Sequence, residues 1–178
     1  MELKKPPLLT AEQIQKKVEE LAQQISADYA ARTRAGRDLL LITVLKGGLI
    51  FSSDLMRRLT VPLTLDFIRA RSYCQTHSQG CCEFLLLPEQ PVTGRHVLVI
   101  EDIIDTGLTA RCIVDYLAAQ NPASLEVCTL LDKPARRKAQ IHPRYVGFII
   151  DDEFVVGYGM DYEEQGRNWP DIHVLLSD

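Results

Sequence analysis

The sequence predicts an α/β domain with a parallel sheet at its core and helices on both faces. Three observations carry that expectation. Short, continuously apolar runs alternate along the chain with longer segments of helical periodicity. The runs lack the in–out alternation of a half-exposed strand, so they read as strands buried on both faces. Four unusual polar segments, "LKGG", "EDIIDTGLT", "DKPARRK" and "DDEFVVGYGMDY", each begin where an apolar run stops. In an open parallel sheet, ligands bind beyond the carboxyl ends of the strands near a topological switch point. Four polar segments converging on one sheet edge point to an active site.

The elements follow in order. Thr10 and Gln13 form a capping-box pattern, and Ile14, Val18, Leu21, Ile25 and Tyr29 continue at helical spacing until Gly36. That apolar stripe is core rather than a ligand site. "LLLITVL", Leu39 to Leu45, is the first strand. "KGGLIFSSDLMRRL" opens on a glycine pair and continues as a helix to about Leu59, and "LTLDFI" is the next strand. From Arg69 to Gln90 the pattern decays into Ser, Gln, His, Gly and Cys, with a short apolar run at Phe84 to Leu87. This segment reads as a mobile loop with a weak hairpin. Strand Val97 to Ile100, a helix from about Thr109 to Ala119, and strands "LEVCTLL" and "YVGFII" follow. "FVVGYG" and "IHVLLS" are also β-like. No repeat or low-complexity tract appears.

Composition bounds the class. A chain of 178 residues suits one domain and can bury about two thirds of its unfolded surface. The apolar fraction of 46% and charged fraction of 25% are those of an ordinary soluble domain. A net charge of −4 argues against nucleic acid as the main partner. The N-terminal lysines are not followed by a long apolar run, and no run approaches the ~20 residues that span a bilayer. The expectation is a cytoplasmic protein with no membrane partner. Its five cysteines, Cys74, Cys81, Cys82, Cys112 and Cys128, are odd in number and show no CxxC spacing, so they are expected to be reduced, with Cys81-Cys82 as two thiols in a loop.

The stretch "VLVIEDIIDTGLTA", Val97 to Ala110, is the most informative. An apolar strand meets two adjacent acids, Glu101 and Asp102, then a third, Asp105, then the turn Thr106-Gly107-Leu108-Thr109. A Thr/Gly turn at a helix start can direct backbone N–H groups at one anion, with the helix dipole adding attraction. Taken alone, such a turn is an ordinary cap. No GxxxxGK[ST] occurs, so ATP hydrolysis loses its main support. Carboxylates at the end of a buried strand need partners. Sugar hydroxyls donate hydrogen bonds to them, and Mg²⁺ accepts oxygen ligands. Glu101 and Asp102 point to opposite strand faces and need not share a pocket. The stretch therefore suits a ligand with vicinal hydroxyls at one end and phosphate at the other, such as ribose 5-phosphate.

This stretch resembles the phosphoribosyl-diphosphate motif of the type I phosphoribosyltransferases. "LITVLKGGLIFSSDLMRRL", "DFIRARSY", "CTLLDKPARRK" and "DEFVVGYGMDY" extend the likeness to the 6-oxopurine branch of that family over nearly the whole chain. The resemblance implies a type I phosphoribosyltransferase fold, residues 1–178 forming one domain. A small hood subdomain would come from the N-terminal segment and about residues 151–178, with a mobile loop at about 70–90. It implies purine salvage: Mg²⁺-dependent transfer of the phosphoribosyl group from 5-phosphoribosyl 1-diphosphate to hypoxanthine or guanine, giving the nucleotide and pyrophosphate. It also implies a homodimer or homotetramer.

Carried over by position, Glu101 and Asp102 match the acids near the ribose hydroxyls and metal, and Asp161 a metal-binding aspartate at the purine side. Asp105 matches the aspartate beside purine N7, the candidate general acid or base. Asp105, Thr106, Gly107, Leu108 and Thr109 match the 5-phosphate cradle. Lys46-Gly47 matches the pyrophosphate loop, which has a cis peptide before its lysine. In isolation "LKGG" is only a helix start with an exposed lysine. Lys133 matches the lysine that reads the purine 6-oxo group; an ammonium only donates, which suits an oxo group and rejects an amino group. Phe154 matches the aromatic stacked on the purine and Val155 the backbone at its edge, though alone both read as core. Ser72-Tyr73 matches the loop that covers the site, and Arg167 an arginine that reaches pyrophosphate.

Two positions depart from the family pattern. Gly166 precedes Arg167 where an aromatic is common, and Cys81-Cys82 lie where relatives are more polar. Trp169 reads as packing. A nucleic-acid-binding regulator on the same fold would call for a basic face or an added module. The chain is acidic, and its length leaves no room for a helix-turn-helix domain.

Overall fold

The structure, a computed structural model, describes residues 2–33, 38–73 and 81–176. Strand β1 (Leu39–Val44) is buried along its whole length. It pairs in parallel with β2 (Leu63–Tyr73) on one side and β4 (His96–Ile104) on the other. Strands β5 (Ser124–Asp132) and β6 (Tyr145–Ile149) extend the parallel sheet beyond β4, and β3 (Cys81–Leu86) adds antiparallel to β2. The order is β3-β2-β1-β4-β5-β6. The chain leaves β1 first toward β2 and later returns to β4 on its other side, so strand order reverses between β1 and β4. A crevice opens at that point.

Alternation along the strands builds two apolar layers. Leu39, Leu41, Leu98 and Ile100 face α1 (Ala11–Tyr29) and α2 (Gly48–Met56). Leu40, Ile42, Val97 and Val99 face α3 (Leu108–Ala118), which contributes Ala110, Ile113 and Leu117. Each buried Leu or Ile contributes about 1.5–3 kcal/mol, so the apolar layers rather than the polar segments hold the fold. Helix α1 starts where its capping box predicts: Thr10 Oγ1 accepts from Gln13 N, and Gln13 Oε1 accepts from Thr10 N. No helix among the described residues is long and apolar enough to cross a membrane.

The C-terminal segment forms a second, small sheet from β7 (Val155–Val156) and β8 (His173–Val174). The N-terminal segment bridges to it at Leu3 with Leu175 and at Leu9 with Ile172. Two contacts fasten this layer to the main sheet. Tyr158 donates its hydroxyl hydrogen to Asp54 on α2 at 2.7 Å. A Cβ at Gly159 would lie 2.3 Å from the Gly47 carbonyl oxygen, so the two backbones touch.

Three expectations need correction. Strand β4 does not stop at Ile100 but runs through both acids to Ile104, because β5 supplies ladder partners as far as Asp132. The hairpin expected within Arg69 to Gln90 is longer than its Phe84 to Leu87 apolar run: β2 continues to Tyr73 and β3 spans Cys81–Leu86. Polar residues on an exposed hairpin hid the pattern; its tip, residues 74–80, lies outside the described residues. The expectation of reduced thiols fails for one pair, since Cys82 and Cys112 are joined in a disulfide. Packing of α3 against the β2–β3 hairpin brings together two cysteines 30 residues apart, which spacing alone does not reveal.

Candidate active site

Two cavities adjoin at the carboxyl ends of the strands. The first, about 180 Å³, lies in the crevice between the end of β1, at Leu45 and Gly47, and the turn after β4, at Asp105 to Gly107. The second, about 190 Å³, is lined by Lys133, Phe154, Val155, Met160 and Asp161. Asp102, Ile103 and Asp105 line both. The two cavities thus form one bent site, with β4 supplying the shared wall.

At the first cavity, Gly107 adopts a left-handed conformation, φ 78°, and caps α3 at its N-terminus. A side chain there would be strained by the backbone and would also press on Ile141 and Arg137. The turn is braced from outside. Thr106 accepts backbone hydrogen bonds from Lys138 and Ala139, and Arg137 Nη1 donates to the Asp105 carbonyl at 3.0 Å. Arg137 also pairs with Asp132. The cradle is therefore formed before any anion arrives. Backbone N–H groups at the start of α3 and the α3 dipole favour a phosphate.

Glu101 and Asp102 both line the first cavity despite their opposite strand faces. Glu101 is 9% exposed, and its Oε2 is buried with no hydrogen-bond partner. Burial, with the neighbouring Asp102 charge adding to it, holds the Glu101 carboxyl well above its ordinary range. Burial also pushes Asp102 up to about 6. Gly47 makes room for it: a Cβ on Gly47 would lie within 1.8 Å of Asp102 Oδ2. Two acids raised by burial, one with an orphaned oxygen, fit a divalent cation. Mg²⁺ is typically held by one or two carboxylates, with waters and substrate phosphates completing its shell. Among the described residues, no three metal-ligating side chains converge. Asp161 is engaged by Arg167 Nη2 at 2.6 Å.

The Leu45–Lys46 peptide is cis, as the family pattern implies. Lys46 Nζ meets Glu164 Oε2 at 2.8 Å. Arg167 meets Asp161 and Glu164, and its Nη1 donates to the Gly159 carbonyl at 2.8 Å. These partners take both Nη atoms of Arg167, which follows Gly166, while its Nε is buried without one. Gly166 packs within 2.5 Å, measured from a Cβ built on it, of Val156. Trp169 packs edge-on against His173.

In the second cavity Lys133 is 6% exposed, and among the described residues no hydrogen bond or ion pair meets its ammonium. Phe154 is 54% exposed and meets Tyr162 in a T-shaped contact, ring centroids 5.8 Å apart, while Val155 is buried in β7. Asp105 Oδ1 is buried without a well-aligned hydrogen bond, although Arg136 Nε lies 3.0 Å away. Arg136 also binds Asp152 at 3.1 Å. Ser72 and Tyr73 close strand β2, opposite Cys82 and Cys81 in register.

Three further residues escaped the sequence reading: Arg136, Arg137 and Glu164. The two arginines sit in "DKPARRK", which reads locally as a solvated basic turn. Only the 3-10 turn at Pro134–Arg136 aims them at Asp105 and its carbonyl. Glu164 follows Asp161 in a run of acids with no distinguishing spacing.

A phosphoribosyl transferase domain family matches residues 8–163. The hypoxanthine-guanine phosphoribosyltransferase of Mycobacterium avium is 46% identical over 173 residues, covering 96% of this chain and 85% of that one. The chain belongs to the hypoxanthine-guanine phosphoribosyltransferases. A crystal structure of the hypoxanthine-guanine phosphoribosyltransferase from Bacillus anthracis superposes with a TM-score of 0.90 at 44% identity, covering 98% of this chain and all of that one. The hypoxanthine phosphoribosyltransferase of Trypanosoma cruzi, solved with its product IMP, gives a TM-score of 0.91 at 37% identity, covering 99% of this chain and 96% of that one. The type I phosphoribosyltransferase fold implied by the "VLVIEDIIDTGLTA" motif is the fold the chain has, and the chain is a phosphoribosyltransferase enzyme.

Proposed function

We propose that this phosphoribosyltransferase transfers the 5-phosphoribosyl group of 5-phosphoribosyl 1-diphosphate to hypoxanthine or guanine, giving the purine nucleotide and pyrophosphate. One observation carries the reading. The bent site joins an anion cradle at the N-terminus of α3 to a cavity with a buried lysine, and Asp105 belongs to both.

The roles follow from the chemistry. Backbone N–H groups and hydroxyls from Thr106 to Thr109 hold the 5-phosphate. Glu101 and Asp102 accept hydrogen bonds from the ribose hydroxyls. Lys133 donates to the 6-oxo group, which selects against adenine. Phe154 stacks on the purine, and the Val155 backbone meets its edge. Asp105, restrained by Arg136, sits beside N7 and orients the base or exchanges its proton. Lys46, Gly47 and Arg167 receive the pyrophosphate, and Ser72 and Tyr73 cover the reacting atoms and exclude water. Glu101 and Asp102 are the residues suited to hold Mg²⁺, and Asp161 joins them only by releasing Arg167. When bound, Mg²⁺ supplies charge neutralisation at the pyrophosphate.

The N-terminal segment and residues 151–178 form the hood of one domain, and the enzyme works in the cytoplasm as a dimer or tetramer. Exposed Leu49, Ile50 and Leu85 to Leu87 favour association between copies. Light scattering tests the assembly. Purified protein with Mg²⁺ and phosphoribosyl diphosphate is expected to convert hypoxanthine or guanine to nucleotide and adenine poorly. No turnover of hypoxanthine, guanine or xanthine overturns the reading, and competition among the three ranks them.

A further inference from the structure

Outside the site, the feature with the most chemistry is the seam between the hairpin and α3. Cys82 on β3 is joined to Cys112 on α3, with Cα atoms 6.3 Å apart, inside the span a disulfide bridges. The same seam packs Phe84 against Tyr116, ring centroids 4.7 Å apart and the planes tilted by 42°. Cys82 and Phe84 share one face of the strand, two residues apart. Cys112 and Tyr116 share one face of the helix, four apart. The aromatic pair therefore packs along the same seam as the two sulfurs.

Both ends of the seam lead to the ligand site. Cys112 lies one helical turn beyond Leu108, in the helix whose N-terminus carries the Thr106–Thr109 turn. Cys82 pairs in register with Ser72 on β2, next to the residues assigned to cover the reacting atoms. Both cysteines are only partly buried, within reach of small oxidants and thiols. Cys128, by contrast, is fully buried, and burial pushes its thiol far up, which keeps it inert.

We propose that Cys82 and Cys112 are a reversible redox modification site that staples the β2–β3 hairpin to the phosphate-cradle helix and slows the enzyme. The regulatory part rests on the activity proposed above. Oxidation by a peroxide proceeds in two steps. One thiolate attacks a peroxide oxygen, giving a sulfenic acid and releasing the other oxygen as water after protonation. The second thiolate then attacks the sulfenic sulfur, forming the S–S bond and releasing the second water. The pair loses two electrons in all, and the peroxide gains them. A dithiol reverses the bond by exchange, itself becoming the disulfide. In the bonded state the Cα separation is held between about 4.4 and 6.8 Å. The hairpin and the cradle then lose the freedom to adjust to each other as the substrate seats.

The test uses the full-length protein, reduced with dithiothreitol and titrated with hydrogen peroxide. Tandem mass spectrometry should find a Cys82–Cys112 linkage that forms in wild type and Cys81→Ser, vanishes in Cys82→Ser and Cys112→Ser, and reverses with dithiothreitol. Hydrogen exchange of β3 and the first turn of α3 should slow at least threefold on oxidation, a readout that needs no turnover. kcat/KM for phosphoribosyl diphosphate should fall at least threefold in wild type and stay level in Cys112→Ser. No linkage, a linkage through Cys81 instead, or a linkage that leaves exchange or kcat/KM unchanged overturns the proposal. If the reduced protein turns over no oxopurine, the activity reading fails, while the linkage and exchange results still decide the staple.

Discussion

The two ends of the ligand site are built by different means. The end proposed to hold the 5-phosphate is continuous chain: β4, the Asp105–Thr109 turn and α3, braced by Arg137 and by backbone bonds to Thr106. The end proposed to receive pyrophosphate gathers Lys46, Asp161, Glu164 and Arg167 by ion pairs between partly exposed side chains, with Lys46 and Glu164 118 residues apart. Backbone amides aimed by secondary structure stay in place without ligand. Ion pairs near the surface are exchangeable and weak. The first end is therefore preorganised. At the second, carboxylates of the protein pair with the two cations proposed to receive the pyrophosphate.

The sharpest way to test that contrast is at the shared wall. Asp105→Ala removes one of the three residues that line both cavities, and kcat is expected to fall about 10²–10³-fold. Nucleotide affinity, measured by titration calorimetry, should weaken by less than about tenfold, because the cradle remains. Equal losses in both would reduce Asp105 to a binding residue. Next comes Gly47→Ala. Its Cβ would collide with Asp102 Oδ2, which lies 1.8 Å from the ideal position. Displacing that carboxylate by about 1 Å should lower kcat/KM for phosphoribosyl diphosphate about 10²-fold. Wild-type steady-state kinetics would show instead that Asp102 moves aside freely.

The contrast also explains what could be read from residues alone. The preorganised end was legible because its parts are neighbours in sequence: an apolar run, two acids, and a Thr/Gly turn at a helix start. Strands β1, β4 and β5 and the capped helix α1 were legible for the same reason, since periodicity and caps are local signals. The reach of β4 to Ile104 was not, because ladder pairing with β5 outweighs the polarity of Glu101 and Asp102. Strand β3 was obscured by its exposed face, where Glu83, Leu85 and Leu86 show no clean alternation. Glu164, Arg136 and the Cys82–Cys112 pair depend on contacts between distant segments, and no spacing encodes those. The family resemblance supplied roles for Lys46, Lys133, Phe154 and Arg167 that their local sequence would not have suggested.

A smaller effect probes the cost of the preorganised acids. Burial raises the Asp102 carboxyl from 3.8 to about 6 in the folded chain. Between those values the folded state holds a proton that the unfolded state has lost. The Asp102 contribution to stability should therefore fall as pH rises from about 4 to about 6, and level off above. Asp102→Asn removes this loss. In metal-free protein at pH 7.5 it should raise Tm by several degrees, at about 2–4 °C for each kcal/mol, with little change at pH 4. A calorimetric scan at the two pH values checks it. An equal shift at both would assign the gain to packing rather than to charge.

The smallest effect belongs to the exchangeable end. Glu164 is exposed, and its hydrogen bond from Lys46, then that from Arg167, keep its carboxyl below the ordinary range. Glu164→Gln removes a charge that occupies both cations without altering the backbone. Surface ion pairs contribute little to stability, so Tm should move by less than about 2 °C. If the carboxylate competes with pyrophosphate for Lys46 and Arg167, the KM for phosphoribosyl diphosphate should drop about two- to threefold at low salt. Raising the salt should narrow the gap from wild type, because screening weakens the pairs in both proteins. A rise in KM would reverse the interpretation: Glu164 would then be a clamp that holds the two cations in position for the ligand, and the pyrophosphate end would be as preorganised as the phosphate end.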